Sequence, residues 1–288
     1  MTARKVALSL VTLGSDPAMA EILPSGIVDA TAKMLVASGV VSANVMRLAR
    51  WRKMISVYMA FDWMLPGQFE AFGHRKAFCE QRVREGISSG ATQVLVLGAG
   101  YDTLCWRLSP EFPKVNFFEI DHPATAALKA KAVQDLGVRE NLNLLAEDLA
   151  QRNLLDVMAE NKVWDKNSRT VIIAEGLVMY LSSAAVDELF GQCAAMVGEG
   201  SLFAFSYIPM GDDGRPDVGR WTGLMLWLQR TIGEPWLWSI RPESLDSFLR
   251  KHGWREEPPH MRGGGHYGVE YFAVAVKRCG SFLTSTLP

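Results

Sequence analysis

The sequence lacks the residue patterns of a disulfide-rich or metal-binding protein. The four cysteines are scattered, none lies in a CxxC pair, and the five histidines form no HExxH pattern. We therefore expect reduced thiols, no metal site and a cytoplasmic location. The apolar run Val6–Leu13 follows Arg4 and Lys5 as in a secretory leader, but Gly14 and Pro17 interrupt it, so we expect no leader.

Long apolar runs and an excess of one charge are also missing. No stretch approaches the ~20 consecutive apolar residues that a membrane-spanning helix needs, so we expect no membrane partner. The 30 lysines and arginines nearly balance the 31 aspartates and glutamates, which gives no electrostatic reason to expect a nucleic-acid partner. Hydrophobic residues make up 49% of the chain, which is enough for a full core.

The middle of the chain alternates between short β-rich runs and amphipathic helical segments. Strands are predicted at Gln93–Leu97, Val115–Ile120, Asn141–Ala146, Thr170–Ala174, Ser201–Tyr207 and Val269–Val276. Helices are predicted at Pro123–Leu136, Ala184–Val197 and Pro242–His252. This alternation predicts an α/β fold with a mostly parallel sheet flanked by helices.

Two further segments stand apart from that alternation. Residues 1–90 have helical spacing of apolar residues and are interpreted as an N-terminal extension or cap, with residues 91–288 as the main domain. Residues 208–240 are rich in glycine, proline and tryptophan and are interpreted as an insertion. We expect this insertion to form a lid over the active site. The alternative is that Trp221 and Trp227 simply pack a helix against the core.

The strand Val94–Leu97 runs directly into Gly98-Ala99-Gly100. A glycine turn between a strand and a helix lets the backbone approach a ligand, so Gly98 and Gly100 are candidate cofactor-binding residues. Such a turn on its own is weak evidence, because some turns of this kind are only tight connections.

Acidic residues close the next three predicted strands. Asp121 follows the glycine turn by about 20 residues, where a carboxylate can bind the hydroxyls of an adenosine ribose. Asp148 ends the third strand and could accept a hydrogen bond from an adenine amino group, and Glu175 ends the fourth. Together they predict ligand binding at the carboxyl ends of the strands.

The same residues favour S-adenosylmethionine (SAM) over NAD. A dinucleotide fingerprint needs a third glycine, where this chain has Thr103, and Asp102 would place a negative charge beside the pyrophosphate. SAM has no phosphate and carries a sulfonium cation, so it tolerates an acid there. The NAD-dependent oxidoreductase and an inactive binding module on the same fold stay open as alternatives.

The motifs GAGYDTxxWRL, FFEID, EDL and AEGLVMYL, in this order, resemble those of the leucine carboxyl methyltransferase family. The resemblance implies a Rossmann-like class I methyltransferase that uses SAM and releases S-adenosylhomocysteine. It implies that Arg75 holds the SAM carboxylate, that Gly98 lies against the amino-acid portion of SAM, and that Asp121 binds the ribose. Asp148 and Leu149 would flank adenine, and Glu175 would lie near the SAM ammonium.

This chain departs from many bacterial members of that family. Leu104 occupies a position at which those members have an arginine. The sequence around Lys76, Ala77 and Glu80 is also atypical of the family. These departures leave the identity of the acceptor-binding residues open. We expect an O-methyltransferase that acts on a small, polyketide-like acid or phenol. A protein C-terminal carboxyl methyltransferase is the alternative within the family. The sequence does not predict an oligomeric state.

The two acceptor classes require different chemistry. A carboxylate, with a pKa of ~4, is ionised at neutral pH and needs no general base, whereas a phenol, with a pKa of ~10, needs one. The candidate bases or catalytic residues are His74, His266 and Tyr180.

Overall fold

A single twisted sheet organises the part of the chain that the computed structural model describes, residues 2–60, 67–257 and 266–278. Its strands are β1 (Gln93–Leu97), β2 (Asn116–Asp121), β3 (Leu142–Ala146), β4 (Thr170–Ala174), β5 (Leu202–Tyr207), β6 (Trp254–Glu256), β7 (His266–Tyr267) and β8 (Glu270–Lys277). The order is β3-β2-β1-β4-β5-β8-β6, with β7 paired to β8. β1 to β5 are parallel, and β8 runs antiparallel to β5 and β6.

Twelve α-helices are described, together with one short 3-10 helix, η1 (Val178–Tyr180). Before the sheet lie α1 (Thr2–Leu13), α2 (Pro17–Ile22), α3 (Ile27–Ala37), α4 (Ala43–Ala49), α5 (Lys53–Met59) and α6 (Gln68–Ser88). Within it follow α7 (Leu104–Leu108), α8 (Pro123–Leu136), α9 (Leu154–Glu160), α10 (Ser183–Ala195), α11 (Thr222–Thr231) and α12 (Pro242–Lys251). None of these helices is long and apolar enough to cross a membrane.

β1, β4 and β5 are buried on both faces, and the side chains of β1 alternate between two cores. Leu95 and Leu97 of β1 point toward α9, α10 and α12, whereas Val94 and Val96 point toward α6 and α7. This period of two is the geometry of a strand, and continuous apolar runs are typical of a sheet that is covered on both faces. The mostly parallel α/β fold predicted from the sequence is thereby confirmed.

Several helices start where the sequence provides a cap. Ser182 accepts a hydrogen bond from Ala185 N, and Asn153 accepts one from Leu155 N, which satisfies exposed donors of the first turns of α10 and α9. Proline opens α8 at position 123 and α12 at position 242, where its missing N–H costs nothing. These local signals explain why the boundaries of α8, α10 and α12 were predicted within a few residues, whereas α9 was not predicted.

The N-terminal helices rest on the glycine turn. Ala7 and Val11 of α1 share an apolar cluster with Leu35 of α3 and with Tyr101, which directly follows the turn. α6 instead packs against β4 and β5, as one of the helices of the sheet layer. α1 therefore forms one wall of whatever binds at this edge of the sheet.

The segment between β5 and α12 leaves the sheet and returns to it. Backbone bridges join Pro209 to Ile240 and Met210 to Pro216, and α11 lies between them. The N–H groups of Leu237 and Trp238 donate to the carbonyl of Met179 in η1, at 2.7 and 3.2 Å. These contacts attach the segment to the end of β4, beside the glycine turn.

Candidate cofactor and active site

Two adjoining cavities open at the carboxyl ends of β1, β2, β3 and β4, and Gly98 lines both of them. The first, about 290 Å³, lies between the glycine turn, α1, α6 and the segment after β5; we call it the catalytic cavity. The second, about 460 Å³, lies beyond Asp121 and is lined by Asp148 and Leu149; we call it the adenosine cavity. A ligand that passes Gly98 can occupy both.

The glycine turn has the backbone that this passage requires. Gly98 has φ +64° and Gly100 has φ +51°, a left-handed conformation that residues with a Cβ rarely adopt. A Cβ at Gly98 would lie 3.0 Å from Leu177 Cδ1, and one at Gly100 would lie 3.0 Å from Ala3 Cβ. Both positions thus require glycine for conformation and for space.

The acids on the adenosine side lie where the sequence placed them, at the ends of β2 and β3. Asp121 accepts a hydrogen bond from Gly100 N, so one of its oxygens fixes the glycine turn while the side chain lines the cavity. Asp148 accepts from Ala150 N at 3.0 Å and from Gln151 Nε2 at 2.8 Å. Their predicted contacts with ribose and adenine stay predictions.

Arg75 lies at the catalytic cavity but is already engaged by two carboxylates. Its Nε donates to Glu175 at 2.8 Å, and its Nη1 donates to both oxygens of Glu270, at 2.7 and 2.8 Å. Among the described residues, none accepts a hydrogen bond from Nη2. The resemblance implies that Arg75 clamps the SAM carboxylate, and this nitrogen is the donor left for it.

Lys76 makes a second buried ion-pair group beside Arg75. Its Nζ lies 2.8 Å from Asp102 and 2.9 Å from Glu175. Burial opposes the charge of Lys76, but the two carboxylates outweigh it and hold its pKa above the usual value. Burial likewise opposes ionisation of Asp102, but Lys76 lowers the pKa of Asp102 well below its usual range.

The charges around the catalytic cavity match those of SAM. Two cations, Arg75 and Lys76, face three carboxylates, Asp102, Glu175 and Glu270, so these side chains sum to one negative charge. SAM carries a sulfonium, an ammonium and a carboxylate, which sum to one positive charge. Because buried charge needs compensation, this wall fits SAM better than a ligand with phosphates.

A dinucleotide fits the glycine turn poorly. Its pyrophosphate would need free N–H groups at the start of the following helix. Here Leu104 N at the start of α7 already donates to Asp102 at 3.0 Å, and Thr103 is fully buried. The protein's own carboxylate therefore occupies the place of the phosphate.

The three candidate catalytic residues differ in their relation to the catalytic cavity. Tyr180 lines the catalytic cavity; burial raises its pKa, and the nearby indole of Trp236 offsets part of that rise. His266 belongs to β7, but its side chain lies outside the described residues. His74, on α6, does not line the catalytic cavity.

Sequence reasoning missed part of the ion-pair group. Glu270 begins β8, which is distant in sequence, and Gln68 Nε2 donates to it at 3.1 Å. A glutamate ahead of a β-rich run gives no signal by itself. Lys76 was noticed only as atypical, although its position next to Arg75 could have suggested a partner for Asp102.

The profile of the leucine carboxyl methyltransferase family matches residues 19–194, more than half of the chain. The chain belongs to this family. Its cofactor is therefore SAM, and the family decides against an NAD-dependent oxidoreductase.

Individual relatives agree with the family. A protein of Mycobacteroides abscessus, named "Putative S-adenosyl-L-methionine-dependent methyltransferase", is 29% identical over 75% of this chain and 73% of its own length. YktD of Bacillus subtilis (strain 168), which is named in the same way, is 29% identical over 46% of this chain and 44% of its own length. The second of these alignments thus spans less than half of the relative.

Solved structures show the same fold. A crystal structure from Thermobifida fusca YX, described as "a putative methyltransferase", superimposes with a TM-score of 0.58 and 14% identity. The match covers 91% of this chain and 98% of that chain. The Rossmann-like class I methyltransferase fold is thereby confirmed, and the protein is a SAM-dependent methyltransferase.

Proposed function

We propose that the protein transfers the methyl group of SAM to a carboxylate oxygen of a small-molecule acid. The observation that carries this proposal is that the described residues at the catalytic cavity offer no free general base. Its three carboxylates, Asp102, Glu175 and Glu270, are all held in ion pairs with Arg75 or Lys76.

The remaining titratable groups of the described wall are tyrosines. Burial raises the pKa values of Tyr101 and Tyr180, so neither takes up a proton near neutral pH. A phenol or alcohol acceptor would have to lose its proton to such a base. A carboxylate acceptor is already ionised, so its transfer needs only alignment of oxygen, methyl carbon and sulfur.

The size and lining of the catalytic cavity support a small acceptor. Apolar side chains of α1, including Val6 and Leu10, and Phe72 of α6 form much of its wall. A mostly apolar pocket with a few polar groups is typical of small-molecule sites. Apolar side chains disfavour water, and a water-poor site favours a reaction in which the sulfonium and the carboxylate neutralise each other.

The pH dependence of the reaction tests this proposal. Incubation with SAM and a panel of carboxylic acids and phenols, followed by mass spectrometry, identifies an acceptor by its added methyl group. For a carboxylate, we expect kcat/KM to be flat from about pH 6 to 9, because no group must lose a proton. A limb near neutrality would contradict the proposal and favour a hydroxyl acceptor.

A further inference from the structure

The outer side of α4 carries apolar side chains where a surface helix normally has polar ones. Met46 and Ala49 are buried in the apolar cluster that α4 shares with α1 and α3. Val45 and Leu48 lie on the outer side and are exposed. A helix that is apolar on both sides is normally covered on both, so the outer side of α4 has the composition of an interface.

α5 shows the same pattern. Ile55 and Tyr58 pack inward against apolar side chains of α1 and α6, whereas Val57 and Met59 are exposed. An isolated apolar residue on a protein surface is normal, but a group of them in one short segment marks an interaction surface. We call the exposed side of residues 43–59 the α4–α5 surface.

The α4–α5 surface is also strongly basic. Its charged side chains are all cations, and all are exposed: Arg47, Arg50, Arg52 and Lys53. Residues 30–61 contain no aspartate or glutamate, although the whole chain has a net charge of -1. Asp29 pairs with Arg50 at 2.6 Å, whereas the other three cations form no ion pair with a described residue. Positive charge is therefore concentrated on this surface.

Trp51 lies between the two helices. Its side chain is 51% exposed, and Lys53 Nζ lies 5.2 Å from the centre of its ring. Tryptophan is enriched where lipid headgroups meet lipid chains, because its ring is apolar and its N–H is polar. Lysine and arginine suit the same depth, since their stems contact apolar groups while their charges stay in water. Both kinds of residue on this surface therefore suit the boundary of a bilayer.

Charge and composition distinguish between the partners that would cover this surface. A second copy of the chain would bring cations against cations in a symmetric interface, which is unfavourable. An acidic protein would match the charge, but protein interfaces also use hydrogen-bond acceptors. Apart from Asn44 and Ser56, the exposed side chains of residues 43–59 are only cations, tryptophan and apolar groups. An anionic bilayer needs no more than these, since its headgroups are negative and its chains are apolar.

We propose that the α4–α5 surface binds peripherally to an anionic lipid bilayer, with its cations at the headgroups and Trp51 at the boundary with the lipid chains. The expectation of no membrane partner rested on the lack of a stretch that spans a bilayer, and a surface helix needs no such stretch. α4 and α5 contact α1, a wall of the catalytic cavity. The proposal does not depend on which acceptor the enzyme methylates.

Vesicle sedimentation with the full chain measures this binding. The probes are vesicles of phosphatidylcholine alone and vesicles with about 30% phosphatidylglycerol, an anionic lipid, in about 0.1 M NaCl. Binding to the anionic vesicles should be at least about tenfold tighter. It should weaken in about 0.5 M NaCl, because salt screens exposed charges.

Variants then assign the binding to particular side chains. R47Q/R52Q should weaken binding to the anionic vesicles by about 25-fold, since each cation contributes about fivefold. W51S should weaken it by about tenfold, because it removes apolar area from the bilayer boundary. The matched controls R230Q and W227S change an exposed arginine and an exposed tryptophan of α11 and should bind as the wild type does. All four should keep the SAM Kd of the wild type, because none of the changed residues lines either cavity.

Brominated lipid chains report whether Trp51 reaches the bilayer, because bromine quenches the fluorescence of a tryptophan that contacts it. Anionic vesicles made with brominated phosphatidylcholine should quench part of the wild-type fluorescence. W51F should lose most of that quenching, whereas W227F should keep it.

Equal binding to both kinds of vesicle, or binding to neither, would overturn the proposal. So would vesicle binding that R47Q/R52Q and W51S leave unchanged, or quenching that W51F keeps. Soluble poly-glutamate that binds as tightly as the anionic vesicles, with no effect of W51S, would indicate an acidic protein partner instead. A dimer in solution that W51S dissociates would indicate a second copy of the chain, and either of these results would also overturn the proposal.

Discussion

At the scale of single residues, the catalytic cavity combines two kinds of side chain. The first kind has its charge and hydrogen bonds satisfied by other residues, and the second kind keeps hydrogen-bond donors for a ligand. Lys76 and Asp102 satisfy each other, whereas Arg75 Nη2 keeps N–H donors that no described residue accepts. The first kind fixes the shape of the site, and the second kind is available to ligands. The two kinds predict different effects of substitution.

Asp102 should affect stability in a pH-dependent way. Its pKa is lowered in the folded protein, so its contribution is present above the unfolded-state pKa of ~3.9 and is lost as the pH falls toward the folded value. The pKa of Lys76 is raised, so its contribution persists below ~10.4 and is lost as the pH rises above that. D102N should cost about 3 kcal/mol in unfolding free energy, constant between about pH 5 and 9.

Urea denaturation at several pH values measures this difference, which should shrink below about pH 4. D29N is the matched control, because Asp29 forms a surface ion pair with Arg50 and is 71% exposed at its side chain. This control should cost less than about 1 kcal/mol at any pH. A D102N difference that is independent of pH down to about pH 3 would show that the ion pair is not the cause.

Asp121 should affect cofactor binding more than stability. Its carboxylate lines the adenosine cavity, and D121N removes its charge while an oxygen remains for Gly100 N. If Asp121 binds the ribose hydroxyls, the SAM Kd in calorimetry should rise by about tenfold or more. D135N, at an exposed position on α8, should leave the Kd unchanged. An unchanged Kd in D121N would remove this role.

The sequence predicted the residues of the site that follow parallel strands, and for a physical reason. Asp121, Asp148 and Glu175 lie at the ends of β2, β3 and β4, and the carboxyl ends of parallel strands meet at one edge of a sheet. Glu270 and Gln229 come from segments whose position depends on tertiary packing. No local pattern in the sequence reports that dependence.

At the scale of elements, β8 adds to the site a residue that the sequence did not indicate. This antiparallel strand was predicted within one residue, yet nothing indicated that its first residue, Glu270, would reach Arg75. The segment between β5 and α12 was predicted to cover the active site, and Trp236 does line the cavity. Trp227, which the alternative interpretation would have packed against the core, is 62% exposed and does not line the cavity. Whether the segment moves as a lid stays a prediction.

Glu270 should set how the cavity distinguishes SAM from S-adenosylhomocysteine. E270Q removes the carboxylate that gives the cavity its net negative charge, and only SAM carries the sulfonium. We therefore expect the Kd of SAM to rise about fivefold more than that of S-adenosylhomocysteine. Calorimetry with both ligands measures the ratio.

E256Q serves as the control for this change. Glu256 lies on β6 of the same sheet and lines neither of the two cavities. The ratio of the two Kd values should be the same in E256Q as in the wild type. Equal weakening of both ligands by E270Q would mean that Glu270 acts only by positioning Arg75, without a direct effect of its charge on the sulfonium.

At the scale of the whole molecule, the sheet brings a glycine turn, three strand-end acids and a buried ion-pair group to one edge. α1 and the segment after β5 then close that edge from two sides. The result is a SAM-dependent methyltransferase whose catalytic cavity combines apolar side chains with ion-paired charges, and whose described residues offer no free general base. This shortage leads to the central claim, that the methyl group goes to a carboxylate.

The chemical stability of the product tests that claim most directly. After incubation with SAM labelled in its methyl group and the acceptor identified from the acid and phenol panel, the product is treated with alkali. A methyl ester hydrolyses and releases labelled methanol, whereas a methyl ether keeps its label. We expect release of the label; a product that keeps its label in alkali would contradict the account.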